Sequence, residues 1–320
     1  MARGAKRALS CSLFILITAQ SAGAAEVRIN RVDRVHFTAA SGEANQLTVS
    51  LSGSPGNWKV TVNDDGAPIT VGHGCESVGV AAVCTFPTVS PGHFKAELGN
   101  GDDRATGTRL RDAIDGQLGS DVIRGRGGDD LFIGGYGRQD LDQVWGGTGN
   151  DSFNDASRGS ELLFGGAGND RFRADSISGF DADSAFAGGA GRDSAFYTCG
   201  RCRVSLDGRA NDGRPNYDSG DNVDAESVST NSDAPGTGWY GSGLDVLRGS
   251  DKAEILRAKR GNDKIIGGKG SDVLDGGLDP DRIVADDGTR DVIDCGEGDD
   301  VVRADPVDEV ARNCERVRVQ

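Results

Sequence analysis

Aromatic side chains are scarce in this chain, at 6% of 320 residues, and histidine is scarcer still, at 3 residues. So few aromatics leave little material for one large globular core, so that something besides apolar burial has to hold the fold. His36, His73 and His93 do not form an H-E-x-x-H motif, which argues against a zinc protease. The P-loop pattern is also missing, which argues that the glycine-rich segments are not a phosphate-binding loop. The EF-hand pattern is missing as well, so a calcium site of that type is not indicated.

Basic residues are in the minority, at 35 against 50 acidic residues, which gives a formal net charge of −15. A polyanion of this kind does not seek nucleic acid or an anionic membrane surface, and it attracts cations. Glycine, at 50 residues, is the other excess, and its irregular spacing excludes collagen. A solvated acidic surface and a disordered chain are the alternatives to cation binding, and the positions of the acids decide among these interpretations.

Residues 1–25 are predicted to be a secretory signal peptide. Arg3, Lys6 and Arg7 form a basic start, the apolar residues 11–19 follow, and residues 22–24 are small, as at a cleavage site. The apolar stretch is too short to cross a bilayer, and no second long apolar run follows it. We therefore expect an extracellular, secreted protein with no membrane span.

Seven cysteines are present, and six remain beyond the predicted signal. An even number in an oxidising compartment favours disulfides, and closeness in sequence favours local pairing. A zinc site at the C-x-x-C motif would need a second pair of similar spacing, which the sequence does not have. The predicted bridges are Cys75–Cys84, Cys199–Cys202 and Cys295–Cys314.

Residues 26–97 alternate apolar and polar side chains without a longer repeat, as in residues 47–51 and 58–62. Turn signals such as the Asn-Asp-Asp-Gly of residues 63–66 separate these runs, which favours short strands. A stack of repeats needs protected ends. We therefore predict that this small β region caps the N-terminal end of such a stack.

Glycine-rich nonapeptides of the form G-G-x-G-x-D-x-U-x, where U is a large apolar residue, follow from residue 98 onward. Clean copies begin at Gly146, Gly165 and Gly267, and a looser copy begins at Gly188. The pattern predicts repeat blocks at 98–196 and 241–303, separated by an excursion containing the C-x-x-C motif at 197–240. Residues 304–320 are predicted to be a C-terminal cap.

The spacing of the acids carries more weight than any single copy. Acids step by nine residues in two runs and continue after a one-residue insertion, whereas the step slips between the runs. The first run is Asp103, Asp112, Asp121 and Asp130; the slipped acids are Asp140, Asp151, Glu161, Asp170 and Asp193; the second run is Asp245, Glu254, Asp263, Asp272 and Asp281, continued by Asp291 and Asp300.

A nine-residue unit divides into a six-residue turn and a three-residue strand whose U residue points inward. Two units make one coil, so acids 18 residues apart should face each other on the same side. Stacked carboxylates repel unless a hard, oxygen-seeking dication lies between them, and Ca²⁺ suits such a site better than Mg²⁺. The predicted calcium ligands are Asp103, Asp112, Asp121, Asp130, Asp140, Asp151, Asp170, Asp193, Asp245, Asp263, Asp272, Asp281, Asp291 and Asp300.

Residues 99–303 resemble the RTX, or hemolysin-type, calcium-binding repeat proteins. The resemblance rests on the clean copies of the nonapeptide and on the degenerate copies that keep the same spacing. The resemblance implies an all-β fold, a parallel β-roll or β-solenoid, with several Ca²⁺ ions between turns and repeats that are largely unfolded without metal. The best-known members leave the cell by a C-terminal signal and often carry a toxin, protease or lipase domain. This chain is more similar to stand-alone, Sec-exported bacterial repeat proteins.

The leading functional hypothesis is extracellular calcium binding in a structural or adhesive role, without catalysis. Its partners would be calcium ions and cell-surface or extracellular-matrix components. One alternative is a polysaccharide-active or other hydrolytic enzyme on a β-solenoid, which needs a cleft with converging acids outside the repeat register. Another is a calcium-dependent ice or surface binder, which needs flat rows of Thr, and Thr is sparse in these repeats.

Overall fold

The computed structural model describes residues 24–30, 34–54, 57–86, 93–133, 141–155, 160–175, 185–198, 203–205, 222–224, 227–231 and 245–320. The regular elements in these ranges are β-strands, as the all-β prediction requires. The described part of the chain contains no helix long and apolar enough to cross a membrane. The predicted signal peptide up to residue 23, Asp140, the pair Cys199/Cys202 and most of the 197–240 excursion lie outside the described residues.

The N-terminal region and the first repeats form strands β1 to β18. Their bounds are β1 (Ala25–Ile29), β2 (Val35–Thr38), β3 (Gln46–Ser54), β4 (Asn57–Asp64), β5 (Ile69–Val71), β6 (Cys75–Val78), β7 (Ala81–Phe86), β8 (Phe94–Glu97), β9 (Arg104–Thr106), β10 (Asp112–Asp115), β11 (Val122–Gly127), β12 (Leu131–Ile133), β13 (Leu141–Thr148), β14 (Ser152–Asp155), β15 (Ser160–Ala167), β16 (Arg171–Asp175), β17 (Ala185–Ala190) and β18 (Ser194–Thr198).

The later part of the chain forms strands β19 to β30. Their bounds are β19 (Arg203–Ser205), β20 (Asn222–Asp224), β21 (Ser227–Asn231), β22 (Val246–Arg248), β23 (Ile255–Arg257), β24 (Lys264–Ile266), β25 (Val273–Leu278), β26 (Arg282–Ala285), β27 (Val292–Glu297), β28 (Val301–Ala304), β29 (Glu309–Val310) and β30 (Arg316–Val319).

The repeats form a parallel β-roll in which successive strands alternate between two opposite sheets. Ile114 of β10 lies beside Ala96 of β8 and Phe132 of β12, each 18 residues away, which confirms two units per coil. Where the sequence period slips, the coil lengthens and the register continues, as for Val122 beside Gln143 and Leu162 beside Ala185. The slips therefore leave the register of the described strands intact.

One sheet runs along both repeat blocks, whereas the opposite side is divided. In the repeats, the 14-stranded sheet contains the even-numbered strands β8, β10, β12, β14, β16 and β18, followed by β21, β23, β25, β27 and β29. The facing side consists of a 10-stranded sheet that ends at β20 and a separate six-stranded sheet that begins at β19. The predicted excursion therefore coincides with a break in one face of the roll only.

The predicted U residues point into the narrow space between the sheets, where they form the core. Phe132, Phe153 and Phe172 stack coil upon coil, with ring centroids 5.1 and 4.9 Å apart. On the outer face, Trp145 stacks on Phe164 at 5.4 Å and Arg124 lies over Trp145, which stabilises neighbouring strands. The buried U residues are Ile114, Ile123, Phe132, Phe153, Phe172, Leu247, Ile265, Leu274 and Ile283.

The two ends of the roll continue its sheets and carry disulfides. At the N-terminal end β2 pairs with β8 and β3 pairs with β9, both in parallel. Cys75 and Cys84 bond between β6 and β7, and Cys295 and Cys314 bond across the last coil, which confirms both predicted pairs. Each end of the stack is thus covered by paired strands.

Candidate metal sites

The acid that closes each turn points inward and holds the backbone of the neighbouring coil. The N–H of Asp103 donates to Asp121 Oδ1 at 2.9 Å, and the N–H of Asp263 donates to Asp281 Oδ1 at 2.8 Å. Each carboxylate therefore links successive coils through one of its two oxygens. The link spans 18 residues in regular coils and 19, 21 or 23 where a coil is longer.

These links arrange the acids in two rows, one on each side of the roll. The first row joins Asn45, Asp103, Asp121 and Asp142 and, in the second block, Asp245, Asp263, Asp281, Asp300 and Glu315. The second row joins Asp112, Asp130, Asp151, Asp170 and Asp193 and, in the second block, Glu254, Asp272, Asp291 and Asp308.

The second oxygen of most row acids, Oδ2, is buried and accepts no hydrogen bond. Burying a carboxylate oxygen without a donor is costly, so buried polar groups are normally satisfied. Repeated along two rows, these oxygens make a donor set that suits a hard cation, which prefers carboxylate and carbonyl ligands. The acids concerned include Asp103, Asp121, Asp130, Asp151, Asp170, Asp263, Asp272, Asp281, Asp291 and Asp300.

Glycine is needed at the first two positions of a unit for two different physical reasons. A Cβ added to Gly146 would overlap Asp151 Oδ2, and one added to Gly165 would overlap Asp170 Oδ2. The first glycine is therefore required because the carboxylate occupies the space of its missing side chain. The second glycine adopts a positive φ, 113° at Gly147, where a Cβ would also meet the backbone of the previous coil.

The comparison with protein families agrees with this geometry. The model of the RTX calcium-binding nonapeptide repeat matches in four copies, at residues 98–138, 115–153, 155–195 and 248–283. These coils are RTX calcium-binding repeats. No curated protein matches the chain.

The row acids of the RTX coils have raised pKa values. Burial raises the pKa of Asp121, Asp130 and Asp263 to about 8, although the backbone N–H that each accepts acts in the opposite direction. Neighbouring row carboxylates raise these pKa values further, because like charges one coil apart repel. Burial likewise raises the pKa of Asp272 and Asp281 to about 7. The ionised rows therefore need a cation more than ordinary surface carboxylates do.

Two row acids already have hydrogen-bond donors from within their own RTX unit. The Thr108 hydroxyl donates to both oxygens of Asp112, at 3.0 and 3.2 Å, and the Thr108 N–H donates to Oδ2 at 2.6 Å. Ser250 donates its hydroxyl and its N–H to Glu254 in the same way. Asp112, although a predicted ligand, is thus a weaker candidate than the acids with an unpartnered Oδ2.

Several buried or row-forming acids are not among the predicted calcium ligands. Asp142 follows Asp121 in the first row, with Asp121 N–H donating to its Oδ1 at 2.8 Å, whereas the predicted ligand Asp140 lies outside the described residues. Glu161 lies beside Asp142 in register and is buried. The sequence contained a signal for Asp142. The residue two positions after it is the apolar Val144, as the repeat requires, whereas the residue two positions after Asp140 is an acid. Asp308 and Glu315, which end the rows, have no repeat around them.

We expect Gly146→Ala to weaken calcium binding and to destabilise the roll by about 1–3 kcal/mol, the usual cost of overfilling a packed site. The added methyl would displace the Asp151 carboxylate from the row. Calcium titration and thermal melting of the variant measure both effects. In the control Gly79→Ala the methyl enters open space outside the repeats, so calcium affinity should not change. Equal affinities for the two variants would contradict this account of the first glycine.

Proposed function

We propose that the protein is an extracellular calcium-binding protein whose β-roll takes up several Ca²⁺ ions and depends on them for folding. The observation that carries the proposal is the alignment of buried, unpartnered Oδ2 atoms along both rows. Ca²⁺ accepts about 6–8 oxygen ligands in flexible geometry, and glycine-rich turns offer backbone carbonyls beside these carboxylates. Mg²⁺ demands near-octahedral geometry and is a poorer fit.

A structural or adhesive role outside the cytoplasm fits the rest of the molecule. Disulfides at both ends of the roll are typical of oxidising compartments. Each ion would neutralise acids from neighbouring coils, so that calcium would set the stiffness of the whole rod. Cell-surface or extracellular-matrix components are the partners we propose for such a rod.

A hydrolytic role has weaker support. A groove beside β22, β24 and β26 is lined by three acids outside the rows, Asp251, Asp286 and Asp287. Asp286 is engaged in an ion pair with Arg303, and Asp287 accepts hydrogen bonds from Thr289. A glycosidase of the usual kind needs two carboxylates facing its substrate, one as acid and one as base or nucleophile. We therefore propose a binding role without catalysis.

The row geometry predicts which pairs of acids cooperate in binding calcium. Asp263 accepts the N–H of Asp245 and donates its own N–H to Asp281, whereas Asp272 lies in the opposite row. We expect Asp263→Asn and Asp281→Asn to be coupled by about 0.5–3 kcal/mol, because acids that share a site do not act independently. Asp263→Asn and Asp272→Asn should be additive to within about 0.5 kcal/mol.

The measurement is a pair of double-mutant cycles on calcium titration, with folding followed by circular dichroism. Asparagine is the suitable replacement, because it keeps the Oδ1 acceptor that links the coils, removes the charge and replaces the Oδ2 ligand with an NH2 group. Stronger coupling between the acids nine residues apart than between those 18 apart would contradict shared sites within one row. Failure of the wild-type protein to bind calcium would overturn the proposed function itself.

A further inference from the structure

The unit that ends at Asp291 has two acids at its first two positions. Asp286 and Asp287 stand where the preceding unit of the same row has Gly267 and Gly268. Asp286 pairs with Arg303. Asp287 Oδ1 accepts the N–H of Thr289 at 2.7 Å, while its Oδ2 is buried and accepts no hydrogen bond.

Asp287 brings a third carboxylate to two row acids. Asp272, Asp287 and Asp291 each offer a carboxylate oxygen, and the three oxygens lie within 4.8 Å of one another. Asp272 is 1% exposed and Asp291 is 0% exposed, and the Oδ2 of each accepts no hydrogen bond. Both oxygens face the space beside Gly267, where an added Cβ would lie 2.9 Å from Asp272 Oδ2 and 3.7 Å from Asp291 Oδ2.

The charge of this cluster is not balanced by basic side chains. In the part of the chain that the structure describes, no Lys or Arg forms an ion pair with Asp272, Asp287 or Asp291. The basic residues of the surrounding coils pair with other acids, namely Arg303 with Asp286, Arg290 with Glu309 and Lys269 with Asp251. Three acidic groups with unpartnered oxygens at one point are a donor set for a cation.

The residue four positions before the row acid differs between units, and it determines whether the acid gains a hydrogen-bond donor or a second charge. Thr108 and Ser250 occupy that position before Asp112 and Glu254 and donate a hydroxyl hydrogen bond to the acid. Asp287 occupies it before Asp291 and adds a negative charge instead of a donor. The cluster is therefore expected to attract a cation more strongly than a pair of row acids does.

We propose that Asp272, Asp287 and Asp291 form a three-carboxylate site for a hard divalent cation, Ca²⁺, which is the tightest site of the roll and the first to fill. The inference rests on the proposed function, because two of its three acids belong to a row. The site lies next to the coil that Cys295 and Cys314 close. Early filling would hold the C-terminal end of the roll in register before weaker sites load.

The test is a calcium titration of the full chain by isothermal calorimetry, with wild type, Asp287→Asn and Asp251→Asn compared. Asp287→Asn should raise the Kd of the tightest site about tenfold or more, because a full charge beside the ion is lost, and should leave the weaker sites unchanged. The control Asp251→Asn removes the same charge from a side chain that is 80% exposed and pairs with Lys269. It should titrate like wild type.

A second variant, Asp287→Ser, reproduces the arrangement of Ser250 and Glu254 and should lose the tight site as well. Thermal melting in saturating calcium checks that each variant is folded, and the Asn variant keeps the Oδ1 that holds Thr289. If wild type binds calcium and both Asp287 variants titrate like Asp251→Asn, the three-carboxylate site is overturned while the proposed function stands. If wild type binds no calcium, the proposed function fails first.

Discussion

Removal of calcium is expected to unfold the repeats. A nine-residue unit buries at most one large apolar side chain at its U position, such as Ile123 or Phe153, and some units bury only an Ala there. Little apolar surface is therefore buried for each residue of ordered backbone. The rows oppose the fold when metal is absent, because ionised, buried carboxylates lie one coil apart without counter-charge. Binding to the folded state adds about 2.7 kcal/mol per site at free calcium of about 100 times Kd. With several sites filled, we expect calcium to decide whether the roll folds.

Far-UV circular dichroism of the chain in chelator and in millimolar calcium measures this effect. We expect loss of the β spectrum and of the cooperative melting transition in chelator, and recovery of both on adding calcium. Magnesium at the same concentration is the matched control, and it should restore little, because it keeps its waters and its octahedral geometry. Identical spectra and melting curves in chelator and in calcium would contradict metal-dependent folding.

Acidification is expected to substitute in part for calcium. Burial raises the folded-state pKa of Asp121, Asp130 and Asp263 to about 8, above the ordinary value of 3.8 that the unfolded chain retains. A group with a raised folded pKa favours folding at low pH, and this contribution is lost as the pH rises through the folded pKa. The metal-free roll should therefore be more stable near about pH 5 than at pH 8, because its stability falls steadily as the pH rises from about 4, where the unfolded acids ionise, to about 8, the folded pKa.

Thermal melting of the chelated protein across this pH range tests the sign of the effect. The calcium-saturated protein is the internal control, because protons compete with calcium for the same oxygens and the stabilisation by calcium should shrink as the pH falls. The cooperative transition that the chelated protein lacks at pH 8 should therefore appear as the pH falls, and its midpoint should approach that of the calcium-saturated protein. A chelated protein that becomes more stable from pH 5 to pH 8 would show that the row carboxylates do not oppose folding in the way that their burial implies.

The repeat spacing predicted the roll and most of the two rows. A nine-residue unit with glycine at the turn, Asp at its end and an apolar residue two positions later is a local pattern, and each part has a local reason. The same pattern correctly placed the acids of regular coils, such as Asp263 and Asp281, next to each other in one row at a separation of 18 residues. Where coil length varies, the step alone does not identify the row acid, as for Asp142, which follows Asp121 at 21 residues.

Within this protein, the sequence by itself determined the all-β class, the inward apolar column, two local disulfides and the identity of the repeating acids, because all of these follow from contacts within one or two units. Only the tertiary structure decided which acids share a row across coils of unequal length, as for Asp170 and Asp193 at 23 residues. It also placed Asn45 at the start of a row, 58 residues before Asp103, and Asp287 beside Asp272. Those positions depend on how one coil stacks on the next, and stacking brings together residues whose separation no local pattern encodes.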